Sequence, residues 1–212
     1  MFQFPENKTE LDEREAAGLW KAIGLTKTIG ESNNPIDNGV LLFLHKNIFE
    51  QVNPDIAGRF RIIGEDIKKL KCVEPPTGSL VHQKMYEMEK DLAVRLSGFP
   101  KNHVKQSKKE KETWFRNVID LAAWIQYKIA AIHPFCDGNG RVARLMTNVI
   151  LRRYELPPSQ LKYEGDHKTK YTDALCQIDN HLDYEPLKRL IARSVLEAYK
   201  KEEKLRRNTQ GR

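Results

Sequence analysis

Apolar positions recur along most of this chain at the spacing that gathers them on one face of a helix. The pattern predicts helices over residues 11–25, 39–52, 80–96, 139–154, 167–180 and 186–205. Residues 30–38 (GESNNPIDN) form a breaker cluster and read as a loop. Residues 112–132 (ETWFRNVIDLAAWIQYKIAAI) are apolar on nearly every side, which predicts a buried central helix. One segment departs from helical spacing. Phe60, Ile62 and Ile63 precede Gly64-Glu65-Asp66, and Ile67, Leu70 and Val73 follow, which predicts a short β-hairpin closed by Pro75, Pro76 and Gly78. No period of 20–50 residues repeats, so a solenoid is excluded. The expected fold is all-α: one domain of six to eight helices around a central one, plus a small hairpin.

Composition changes this picture little. The chain has 212 residues and is 40% hydrophobic and 31% charged, which excludes a disordered or collagen-like protein. A net charge of +7 permits phosphate or nucleic-acid binding without requiring either. Much of the excess lies in the lysine-rich residues 101–112 and the basic C-terminal run, read as a solvated loop or helix start and a frayed tail. Cys72, Cys136 and Cys176 are far apart and odd in number. That spacing argues against a disulfide framework and favours a reducing, cytoplasmic setting. The first residues lack a basic leader with an apolar core, so no signal peptide is expected, and no stretch is apolar enough to span a bilayer.

The chemistry is concentrated in IHPFCDGNGRVARLM, residues 132–146. The central helix delivers His133 at its end, and Pro134 stops that helix. Gly138-Asn139-Gly140 then opens the next one. Glycines entering a helix let backbone N–H groups approach a ligand, and a helix N-terminus attracts anions. Arg141 and Arg144, three apart, add forked donors suited to phosphate oxygens. Asp137, a lone carboxylate amid this positive potential, is placed to hold Mg²⁺ together with substrate phosphates. His133 is the one group here whose ordinary pKa suits a general base near neutrality. Phe135 reads as an anchor packing the loop on the core, and Cys136 as a spectator. Taken singly, His133, Asp137 and the glycines are also ordinary helix-end and turn residues.

This string resembles the signature of the Fic family, HxFx(D/E)GNGRxxR, complete from His133 to Arg144. The similarity extends through LHKNIFEQVNPDIAGRFRIIG to about residues 37–193. It implies a helical extension over residues 1–36, the Fic domain with its flap at about 61–73, and a helix end with a basic tail over 194–212. It also implies transfer of AMP from ATP to a Ser, Thr or Tyr hydroxyl of a target protein. His133 would deprotonate that hydroxyl and Asp137 would hold Mg²⁺. Gly138, Asn139 and Gly140 would cradle the α-phosphate, and Arg141 and Arg144 the β- and γ-phosphates. The target would dock on the flap as an added strand.

Doc-type relatives phosphorylate instead and lack the full glycine–arginine pattern, while other relatives move UMP or phosphocholine. Many Fic proteins carry an inhibitory (S/T)xxxE(G/N) helix whose glutamate competes for the second motif arginine, here Arg144. This chain has only imperfect counterparts at Glu13 and Glu31. Autoinhibition, a separate inhibitory protein and constitutive activity therefore stay open, as does a homodimer. A catalytically silent partner- or nucleic-acid-binding helical module is the competing reading. The intact motif and the absence of aromatic residues among the basic runs weigh against it.

Overall fold

The protein is described here by a computed structural model covering residues 8–65, 67, 71–98, 107–161 and 165–210. Among these residues are seven α-helices: α1 (Lys8–Glu31), α2 (Asn38–Phe49), α3 (Val81–Ser97), α4 (Lys108–Ile132), α5 (Asn139–Arg153), α6 (Gly165–His181) and α7 (Glu185–Gln210). The antiparallel pair α4–α5 forms the centre. Helix α1 lies along α5 and α2, and α7 packs on α4 and α6. As its sequence predicts, α4 is buried on several sides, through Trp114, Val118, Leu121, Ala122, Ile125 and Ile129 among others.

Local sequence explains most of the boundaries. The Asp37 carboxylate accepts the Val40 N–H at 3.1 Å and caps α2. Ser107 and Glu110 form a reciprocal capping box, so residues 108–112 of the lysine-rich run open α4. Two helices run well past their predicted C-terminal ends. Helix α1 continues through Gly30, whose role is close approach: a Cβ there would stand 2.4 Å from Cβ of Arg152 on α5. The Arg153 guanidinium then donates to the Gly30 carbonyl at 2.8 Å and satisfies the end of the helix. Helix α7 reaches Gln210, with the i,i+4 pair Arg207–Glu203 in its last turns, where a frayed tail is expected.

The predicted hairpin is not found: no strand occurs among the described residues of 61–77. Residues 66 and 68–70 of that segment lie outside the described residues. A turn does form, with Glu65 N–H donating to the Ile62 carbonyl at 3.0 Å and Gly64 at φ +86°. The flanking backbone groups are committed elsewhere. Arg61 N–H donates to the Pro134 carbonyl at 2.8 Å, the Glu65 carboxylate takes Ile62 N–H, and Pro75 and Pro76 have no N–H to offer.

The cysteine expectation also needs correction. Cys72 and Cys176 form a disulfide across 104 residues of sequence, with Cα atoms 5.4 Å apart. It ties the segment before the proline pair to α6, and Lys71 pairs with Asp173 beside it at 2.5 Å. Spacing along the chain carried no sign of this, because the pairing is made by folding alone.

Candidate active site

His133 is the C-cap of α4 and adopts a left-handed conformation, φ +50° and ψ 60°. A β-carbon resists this geometry, so its surroundings must hold it there. Arg61 does so. Its side chain is fully buried, and its guanidinium donates to the carbonyls of His133 at 2.7 Å, Ile132 at 3.3 Å and Pro76 at 2.5 Å. One planar fork thereby joins the end of α4 to both ends of the flap segment. The backbone bond to Pro134 is a further stitch at the same place.

The imidazole of His133 is oriented as a base. Nδ1 lies 3.1 Å from the Ala130 carbonyl and must carry the proton to donate there, which leaves the Nε2 lone pair uncommitted. Burial lowers the His133 pKa below its ordinary value, with the Arg61 cation pushing the same way. The Ala130 bond and Asp137 oppose them. The ring is therefore neutral at pH 7. His133 shares a cavity of about 270 Å³ with Ala130, Gly140, Cys72, Val73 and Tyr171.

The loop between α4 and α5 is built around Asn139 and Gly138. Asn139 is buried, and its amide closes a reciprocal pair with the Phe135 backbone: Oδ1 accepts the N–H and Nδ2 donates to the carbonyl, both at 2.8 Å. Its side chain thus works within the loop, and what remains to face a phosphate is its backbone N–H. Gly138 has φ +78°, and a Cβ there would meet the Phe49 ring at 2.4 Å, so no other residue fits. Gly138 brings no side-chain cap, which leaves the first amides of α5 without a capping partner. The guanidinium of Arg144 folds back beside Gly140, 3.4 Å from where a Cβ would stand.

Asp137 is exposed. Its Oδ1 accepts from Gly138 N–H at 2.5 Å and from Arg141 at 3.0 Å, while Oδ2 has no hydrogen bond among the described residues. No group of three or more metal-ligating side chains occurs among those residues. The donor set fits a hard cation held by one carboxylate and substrate phosphates, and does not fit a protein-only metal cage. Arg141 lies over the Phe49 ring, 4.8 Å from its centroid, between two carboxylates: Asp137 and Glu15 of α1. Neither glutamate singled out from the sequence reaches a motif arginine. Glu13 and Glu31 are both exposed and form no ion pair among the described residues. Glu15, two residues along, occupies Arg141.

Sequence reading missed four further residues. His45 on α2 is fully buried and stacks on Phe135, with centroids 3.8 Å apart and planes 7° from parallel. Its Nδ1 accepts Gly58 N–H at 3.0 Å and its Nε2 donates to the Asp137 carbonyl at 3.1 Å. Only the neutral Nε2–H tautomer makes both bonds. The signal was present: residue 45 falls on the same helical face as Leu41, Leu44 and Ile48. Arg61, in the RFR run, and the Arg59–Glu65 fork (2.8 and 2.6 Å) were legible only as charges. Arg59 holds the Glu65 carboxyl down at about 2. Phe135 is fully buried, and burial raises the Cys136 thiol, opposite to the shift an activated nucleophile needs.

Burial lowers the His45 pKa to about 4 from an unfolded value near 6.5. Below pH 6.5 the unfolded chain takes up a proton that the native protein refuses until about pH 4. Stability should therefore be unaffected above pH 6.5 and fall between pH 6.5 and 4, by at most about 3 kcal/mol from this group. Urea unfolding across that range checks this. His45→Gln should flatten the slope, and an unchanged slope would refute the assignment.

A neutral histidine at a glycine-opened helix N-terminus, with two arginines on that helix, is an arrangement suited to phosphoryl or nucleotidyl transfer. The chain matches the Fic/DOC family over residues 35–151, and it belongs to that family. It is 30% identical over 187 residues to a protein adenylyltransferase Fic of Nematostella vectensis, covering 88% of this chain and 39% of that protein. The chain thus spans well under half the length of this curated relative. Among solved structures it resembles residues 134–508 of Caenorhabditis elegans Fic-1, with a TM-score of 0.69 and 22% identity over 98% of this chain and 56% of that one. It also resembles the BepC protein of Bartonella tribocorum with bound AMPPNP, with a TM-score of 0.60 and 18% identity over 90% of this chain and 88% of that one. No helix among the described residues is long and apolar enough to cross a membrane.

Proposed function

We propose that this chain is a protein adenylyltransferase, moving AMP from ATP to a Ser, Thr or Tyr hydroxyl of a target protein. The observation that carries the reading is the His133 ring, neutral and with Nε2 uncommitted, in one cavity with Gly140 at the start of α5. In the reaction, Nε2 takes the hydroxyl proton while the oxygen forms a bond to the α-phosphorus. The bond from that phosphorus to the bridging oxygen breaks, and pyrophosphate leaves. Such transfer depends on positioning and charge stabilisation. The amides of residues 138–140 suit the α-phosphate oxygens, and Arg141 and Arg144 suit the outer phosphates. Mg²⁺, held by Asp137, would supply charge neutralisation on the phosphates.

Glu15 must yield Arg141 before a phosphate can take it, so the carboxylate of α1 competes with the nucleotide. The target would approach over the flap segment, and a separate inhibitory protein would act by holding α1 in place. The setting we assign is the cytoplasm, where the ATP that the reaction consumes is available.

The deciding experiment incubates the protein and cell lysate with Mg²⁺ and ATP labelled at either the α- or the γ-phosphate. With His133→Ala protein in a parallel incubation to subtract the lysate's own kinases, His133-dependent protein-bound label from α-labelled ATP alone is expected. Label from γ-labelled ATP alone would make the protein a Doc-like kinase. Label from neither would sink the reading.

A further inference from the structure

Helix α1 has two faces. Leu11, Glu15, Leu19, Ala22, Thr26 and Ile29 turn inward, and Gly18 packs so closely on α2 that a Cβ would stand 2.6 Å from the Asn47 and Ile48 carbonyls. The opposite face carries Ala16, Ala17, Trp20, Ile23 and Gly24, bounded by Glu13 and Lys27, and all seven are exposed. Trp20 is 73% exposed and Ile23 39%, and a Cβ on Gly24 would meet nothing within 4 Å. The spacing 13, 16, 17, 20, 23, 24, 27 is that of a second helix-packing seam on an already packed helix.

That seam is also a palindrome about Trp20. Laid antiparallel against its own copy, it sets Glu13 opposite Lys27, Ala16 opposite Gly24 and Ala17 opposite Ile23, each pair occurring twice about a two-fold axis. A parallel arrangement would oppose Glu13 to Glu13 and Lys27 to Lys27. Neither Glu13 nor Lys27 has an ion pair within the chain among the described residues, so both are available to a partner. Side chains on a helix lean toward its N-terminus. Each Trp20 indole therefore leans over its own Ala16 and onto the partner's Gly24, where space is open. We infer that this face of α1 docks a second copy of the same chain, as an antiparallel, isologous homodimer.

The seam runs about 21 Å along the helix. One helix pair of this length lies at the low end of specific interfaces, so the dimer is weak and concentration-dependent. Its register is set by the two Glu13–Lys27 pairs, with like charges opposing the alternative.

Sedimentation velocity of the full chain over a concentration series tests this, with circular dichroism confirming that each variant is folded. Wild-type protein should shift from monomer to dimer as concentration rises. Trp20→Ala should weaken association about 10- to 100-fold. Glu13→Lys alone should weaken it, and adding Lys27→Glu should restore it, a rescue specific to the antiparallel register. A monomer throughout, a dimer indifferent to Trp20→Ala, or a double charge swap that fails to restore association would each overturn the inference. The readout is mass, so its outcome is independent of whether the chain transfers AMP.

Discussion

His133→Ala is expected to lower AMP transfer by about 10²- to 10⁴-fold while leaving the folded protein and its nucleotide affinity close to wild type. The general base must be neutral and must present a lone pair to the attacking hydroxyl. Burial supplies the first condition by lowering the pKa, and the Nδ1–H bond to the Ala130 carbonyl supplies the second by fixing the tautomer. The rate should therefore lose its acid limb at a pH below the ordinary histidine value, since protonating Nε2 is what abolishes base function. Single-turnover labelling with α-labelled ATP across pH 4–8 measures both effects. An alanine variant within about twofold of wild type would remove His133 from the proton transfer.

Arg61→Ala is expected to cost about 3–5 kcal/mol of stability, read as a fall in the urea midpoint at constant slope. The substitution strips donors from the carbonyls of His133, Ile132 and Pro76 and opens a cavity where the largest fully buried side chain stood. Such a loss could unfold the chain, so Arg61→Lys is the second arm. Its ammonium keeps the charge but lacks the planar fork that reaches three carbonyls in one plane. The lysine variant should fold and show an intermediate midpoint. Its kcat should fall more than its KM rises, because the displaced group is the proposed base, His133, and not a phosphate contact. Equal stability of wild type and both variants would show that the α4 terminus holds itself.

These two residues show how differently parts of the site could be read from sequence. His133 lies inside a contiguous string whose chemistry is local, so its candidacy is visible without a fold. Arg61 lies 72 positions upstream, and its partners are backbone carbonyls, which carry no mark in a sequence. His45 falls between the two cases. Helical spacing puts it on the buried face of α2, but only the packed structure shows that it holds Asp137 and Gly58. The glutamate that meets a motif arginine behaves like Arg61. A motif pattern pointed to Glu13 and Glu31, while the rotation of α1 against α5 presents Glu15 to Arg141 and turns Glu13 to solvent.

What the sequence determined alone was the helical character of the chain, the buried central helix and the chemical inventory of residues 133–144. Those follow from periodicity and from residue types within one turn or one loop, where neighbours in sequence are neighbours in space. The tertiary structure decided the rest. Gly30 turned out to be a helix contact and not a break, the Arg61 N–H of the predicted hairpin bonded to the motif loop, and two distant cysteines came within bonding distance. Each of these depends on which surfaces meet, and that is set by the packing of the whole domain.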